Sequence, residues 1–161
     1  MNKFYSTKLI ELGSCAFRQW KADPLLATKD LVREGNSCYK IHGYQLKAKF
    51  TFGCAELDER NWAVDYGSLK KLKAALNEQF DHTLTIDKND PCLDIFKQLH
   101  EQRACNLKIM DGVGIEKVAE YCFMEADNFI KNEYGDRCWV ESVEVFEHEA
   151  NSSIYKRVDK I

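Results

Sequence analysis

Three short groups of residues in this 161-residue chain carry side chains able to move protons or hold a charged ligand. The first is Cys38-Tyr39-Lys40-Ile41-His42-Gly43-Tyr44, where a polar stretch runs into an alternating apolar one. A neighbouring cation or metal favours the thiolate, so Cys38 and His42 read as a nucleophile or an acid–base pair. The competing reading is a buried cysteine and a surface histidine. The second group is Asp81-His82, whose carboxylate can orient the imidazole and raise its basicity. Adjacent residues on a strand point opposite ways, so this pair works only in a turn. A histidine meeting the dipole at a helix C-terminus reads equally well there. The third is Glu147, which continues the parity of Val143 and Val145. That parity turns its carboxylate towards the buried side, where a charge needs partners. An aminopyrimidinone edge could supply them through two charge-assisted hydrogen bonds; the alternative is a strand that ends before Glu147 and a solvated side chain.

The elements that must position these groups follow from periodicity. Phe4 to Ala16 reads as a strand with a bulge at Gly13, and Arg18 to Asn36 as a polar loop able to cover a pocket. Leu46, Ala48, Phe50 and Phe52 alternate with Gln45, Lys47, Lys49 and Thr51, the pattern of a strand with one wet face. Gly53 to Asn61 is an acidic turn. Ser68 is placed to cap a helix carrying Leu69, Leu72, Leu76 and Phe80. Thr83 to Ile86 and Leu107 to Met110 are short strands around a helix opened by Pro91, with Leu93, Phe96 and Leu99 along one side. A second long helix runs from Ile115 to Ile130 and ends near Gly135. The C-terminal part alternates again, turns at Asn151-Ser152-Ser153 and returns from Ile154 to Arg157. Strands and helices segregate, which predicts an α+β class with a mainly antiparallel sheet.

Size and composition bound the rest. With 161 residues and 45% hydrophobic content, one domain over residues 1–161 can bury a core. A net charge of −3, with basic and acidic residues interspersed, offers a nucleic-acid backbone no track. No apolar run reaches the roughly 18 residues of a membrane-crossing helix, and the first residues lack a signal-peptide core, so a soluble, cytoplasmic chain is expected. The seven cysteines are scattered without a C-x-x-C pair, which argues against a ribbon-type zinc site and a disulfide framework.

Taken in order along the chain, these pieces resemble the tetrahydropterin synthase family, which includes 6-pyruvoyltetrahydropterin synthase and bacterial 6-carboxytetrahydropterin synthase. The family's Cys-x-x-x-His-Gly-His element reads here as Cys38, His42, Gly43 and Tyr44. Its hydrophobic-x-Asp-Phe element reads as Val64-Asp65-Tyr66, its Asp-His pair as Asp81-His82, and the Glu of its Pro-Thr-x-Glu-Asn helix start as Glu116. Its last motif, a pterin-holding Glu before a turn and Ile-Tyr, reads as Glu147 through Ile154-Tyr155.

The resemblance implies the tunnelling fold: a four-stranded antiparallel sheet with two long helices on one face, plus here a small insert. It also implies trimers stacked into a homohexamer, with Cys38, His42 and Glu147 from one chain meeting Asp81-His82 of its neighbour. The implied activity is that of a lyase on 7,8-dihydroneopterin triphosphate, leading towards 7-deazaguanine compounds. In it Cys38, Asp81 and His82 are catalytic, and Glu147 and Glu116 bind the pterin. The alternative is a pterin- or purine-binding paralogue that works without zinc or catalyses nothing. The family's zinc is held by three histidines, and only His42 stands here, with Phe17 and Tyr44 at the other two positions. Rebuilding that site would need Cys15, Cys38 or Tyr44 as ligands.

Overall fold

Leu46, Ala48, Phe50 and Phe52 are all completely buried in the computed structural model, which describes residues 3–26 and 37–158. They line one face of a strand in the order β1 (Phe4–Phe17), β2 (His42–Cys54), α1 (Lys70–Phe80), β3 (Thr83–Asp87), α2 (Leu93–Glu101), β4 (Leu107–Met110), α3 (Ile115–Tyr134), β5 (Cys138–His148) and β6 (Asn151–Lys156). Two single 3-10 turns, Trp20–Ala22 and Gly135–Arg137, complete the described elements.

The sheet has six strands in the order β4-β3-β1-β2-β5-β6. Four of them, β1, β2, β5 and β6, pair antiparallel as the sequence suggested. The expected four-stranded sheet is nevertheless too small. Thr83 to Thr85 pair in parallel with Cys15 to Phe17, and β4 pairs in parallel with β3. The helix α2 carries the chain back across, as a parallel pair requires. All five residues of β3 are buried, so the insert is part of the sheet rather than an appendage.

Both long helices lie on one sheet face. Leu72, Leu76 and Phe80 of α1 and Val118, Cys122, Ala126 and Ile130 of α3 share a single core with the inward residues of β1, β2 and β5. The insert has a separate small core of Leu84, Ile86 and Phe96. Helix α3 stops at Gly135, whose φ of 58° suits the left-handed exit and whose N–H returns to Lys131 O.

Other local expectations change. Ser68 does not cap α1: its hydroxyl donates to Asp65 O and meets Tyr134 OH, each at 2.8 Å, tying the helix entry to α3. The hairpin between β5 and β6 turns at Glu149-Ala150, and Asn151 to Ser153 already belong to β6. Of the loop expected over Arg18 to Asn36, residues 27–36 lie outside the described residues. Among the described residues no helix is long and apolar enough to cross a membrane.

Phe50→Ala should lower unfolding free energy by roughly 3–5 kcal/mol in urea titrations, because it opens a cavity under both helices. Leu9→Ala, at a position 53% exposed on the opposite sheet face, should change it by less than about 0.5 kcal/mol. Equal losses would refute a one-sided core.

Candidate functional site

The register of β1 against β2 sets the site. It places Phe17 opposite His42 and Cys15 opposite Tyr44, with Gly43 passing so close to the Cys15 carbonyl that a Cβ there would collide. The Phe17 and His42 rings lie 5.1 Å apart, and Tyr44 stands edge-on to His42 at 5.8 Å and 6.0 Å from His148. His42 Nδ1 is 2.7 Å from the Lys40 carbonyl. A carbonyl only accepts, so the proton sits on Nδ1 and Nε2 is left as the open ring nitrogen. Tyr44 has its phenol pushed above the usual range, first by burial and then by the charges of Glu147 and Cys38. It is therefore a neutral hydrogen-bond donor at pH 7.

Strand β5 runs through Glu147 rather than ending before it. The β5–β6 register slips between Phe146 and His148, so Glu147 sits at an irregularity that re-aims its side chain. Its carboxylate is 19% exposed, and Asn151 Nδ2 donates to Oε1 at 2.8 Å. Asn151 and His148 are site residues that sequence reasoning missed. A two-residue hairpin sets positions 148 and 151 face to face, so an earlier placement of the turn would have found them.

Phe17, Cys38, His42, Tyr44, Glu116 and Glu147 all line one cleft of about 610 Å³. Cys38 is exposed on a turn just before β2, and Glu116 lies in the first turn of α3 beside Gly114, whose φ is 103°. Cys15 does not line this cleft. It is buried under β3, with Sγ 3.3 Å from Thr85 Oγ1, and burial pushes its thiol up.

Asp81 and His82 do not line the cleft either. They meet in a turn past α1, with His82 at a φ of 55° and its Nδ1 2.9 Å from Asp81 Oδ1. Asp81 also accepts the Ser14 N–H at 3.0 Å. That hydrogen bond first, and His82 second, hold its carboxyl below the ordinary range. The bulge expected at Gly13 is real: register shifts between Glu11 and Gly13, and Gly13 has a φ of 106°. A Cβ there would run into the Asp81 carboxylate, so the bulge makes room for the pair.

The side chains at the cleft do not fit a tetrahedral zinc. Among the described residues no three His, Cys, Asp or Glu side chains converge to hold a metal ion. At the positions where the resemblance implies ligands, Phe17 has no donor atom and Tyr44 offers only a phenol, a poor zinc ligand, beside His42.

A six-stranded mixed sheet with two long helices on one face is a fold shared with solved tetrahydropterin synthases. An uncharacterised protein from Wolinella succinogenes superposes with a TM-score of 0.79 at 18% identity, covering 98% of this chain and 100% of that one. The 6-pyruvoyl tetrahydropterin synthase of Caenorhabditis elegans gives 0.64 at 19% identity, covering 98% of both chains. A catalytic-residue mutant of the Plasmodium vivax 6-pyruvoyltetrahydropterin synthase gives 0.63 at 15%, covering 96% of this chain and 98% of that one. The 6-carboxy-5,6,7,8-tetrahydropterin synthase of Aquifex aeolicus (strain VF5) is 31% identical over 67 residues, which is 42% of this chain and 41% of that relative. The alignment thus spans well under half the length of that curated relative. The sequence profile of the 6-pyruvoyl tetrahydropterin synthase family matches residues 14–158, and the chain belongs to that family.

Gly13→Ala should displace the Asp81 carboxylate and lower stability by roughly 1–3 kcal/mol, the usual strain of a side chain at such a φ. The Ser14 amide should lose hydrogen-exchange protection in the same variant. Because Asp81 has a depressed folded pKa, its contribution is present above about pH 4 and lost as pH falls through the folded value. An unchanged Ser14 amide would refute the coupling of bulge and carboxylate.

Proposed function

We propose that this chain holds the edge of a pterin ring in the cleft where β1, β2 and β5 end. There it acts on a dihydropterin triphosphate, 7,8-dihydroneopterin triphosphate, as a lyase of the 6-carboxytetrahydropterin synthase type. The observation that carries this reading is the meeting of Cys38, His42, Glu116 and Glu147 on one cleft although they come from four different segments.

Glu147 offers the paired anionic acceptors that two parallel N–H groups of an aminopyrimidinone edge would meet. Asn151 already fixes one of its oxygens, so ring binding would freeze little side-chain freedom. Cys38, exposed at the cleft wall, is the thiol assigned to proton abstraction from the substrate side chain. Asp81-His82 lie away from the cleft of their own chain. We assign the second acid–base pair to a neighbouring copy, so that the working unit is an oligomer, the hexamer implied by the resemblance. No step is assigned to a metal, since the donors present do not fit one.

A second reading is a chain that binds a pterin or purine and catalyses nothing. It is favoured by the Phe17 ring packed against His42, where the family resemblance implies a ligand.

Turnover of 7,8-dihydroneopterin triphosphate, with and without added zinc, separates the two. Under the lyase reading, Cys38→Ala lowers kcat by roughly 10²- to 10⁴-fold while neopterin still binds. Absent turnover under both conditions, with neopterin binding intact, selects the non-catalytic reading. Glu147→Gln should weaken neopterin binding about tenfold to a hundredfold by calorimetry with the oligomer intact, as expected for a lost charged acceptor. Unchanged binding would remove Glu147 from the site.

A further inference from the structure

Arg18 directly follows β1 at the edge of the cleft, where a basic residue would suit a substrate phosphate. Its guanidinium is already committed. Nε donates to Asp90 Oδ2 at 2.7 Å and Nη2 to Asp90 Oδ1 at 2.9 Å, a two-pronged pair whose side chains are 12% and 0% exposed. Asp90 also accepts the Cys92 N–H at 2.8 Å. Two residues on, Trp20 Nε1 donates to Asp87 Oδ2 at 3.2 Å, while Asp87 Oδ1 accepts the Asn89 N–H. Asp87 ends β3 and Asp90 lies in the connection from β3 to α2, and the guanidinium lies 5.8 Å from the Phe96 ring centroid of α2.

Arg18 and its neighbour Gln19 hold the cleft wall on the other side. Gln19 N–H donates to Cys38 O at 2.8 Å, and Arg18 Nη1 donates to Tyr39 O at 3.4 Å. Residues 18–20 are thus clamped between the β3–α2 connection and the backbone that carries Cys38. The clamp lies outside the large core, so the packing of the long helices does not require it. A buried carboxylate, however, needs a cation whose geometry meets both oxygens, which arginine supplies and lysine does not.

We propose that the Arg18–Asp90 pair, with the Trp20–Asp87 bond beside it, is a positioning device by which the β3–α2–β4 insert sets the placement of Cys38 in the cleft. Arg18 acts through the backbone of Cys38 and Tyr39 and does not bind substrate. The catalytic consequence rests on the reading of Cys38 as the proton-transfer thiol; the mechanical part does not.

The test uses the full chain with Arg18→Lys, which keeps the charge but loses the fork, and Trp20→Phe, which keeps a ring but loses the donor. In both, hydrogen exchange of the peptide containing Gln19 should accelerate about tenfold or more, while β2 and β5 stay protected. For Arg18→Lys, kcat on 7,8-dihydroneopterin triphosphate should fall roughly tenfold to a hundredfold with KM little changed, as expected for a misplaced reacting group. Exchange at Gln19 unchanged in both variants overturns the proposal, whatever the activity. If exchange rises but the parent protein turns nothing over, the clamp stands and the lyase reading fails. If Cys38→Ala abolishes turnover while Arg18→Lys keeps full kcat, Cys38 keeps its role and the positioning claim is wrong.

Discussion

The antiparallel register between β1 and β2 is the constraint on which the cleft depends. One register sets Phe17 beside His42, Cys15 opposite Tyr44, and Gly43 hard against the Cys15 carbonyl. A slip of one residue would send each of these side chains to the other face of the sheet. The buried run of Leu46, Ala48, Phe50 and Phe52 forbids that slip, because it would carry four apolar side chains into water. The large core therefore fixes the geometry of the site, to whose wall it contributes Phe17 and Ile115. Two irregularities, at Gly13 and beside Glu147, then adjust it locally, one making room for Asp81 and the other aiming a carboxylate at the cleft.

Much of this was legible in the sequence wherever the signal was local and periodic. The strand face of β2 and the apolar stripes of α1 and α3 follow from spacing alone, and the bulge at Gly13 from a glycine inside a strand. The need for a turn at Asp81-His82 was legible for the same reason, since adjacent side chains can meet only there. What stayed hidden depended on partners far away in the chain. Nothing in Thr83–Asp87 shows that it will pair in parallel with the end of β1, because its residues are buried by neighbours from other segments. Ser68 has the chemistry of a cap, yet Tyr134, 66 positions later, competes for its hydroxyl. The pairing of Arg18 with Asp90, 72 positions away, has no local signal at all.

The cleft combines carboxylates and a thiol with packed aromatic rings. Glu147, Glu116 and Cys38 line the cavity, and the rings of Phe17 and Tyr44 pack together within it. Ring packing of this kind holds His42 in place without giving it companions as a ligand. The phenol of Tyr44, kept neutral by burial and by nearby negative charge, adds a donor where the resemblance implies an imidazole.

The separate small core of the insert bears on how this chain can vary. Leu84, Ile86 and Phe96 pack among themselves and against Ala16 and Leu107, apart from the core under the long helices. Substitutions or length changes around α2 can then accumulate with little penalty to the main body of the protein, provided that two carboxylates still face Arg18 and Trp20. Under the proposed clamp, a lineage could retune the pocket from this side without altering any residue that lines it.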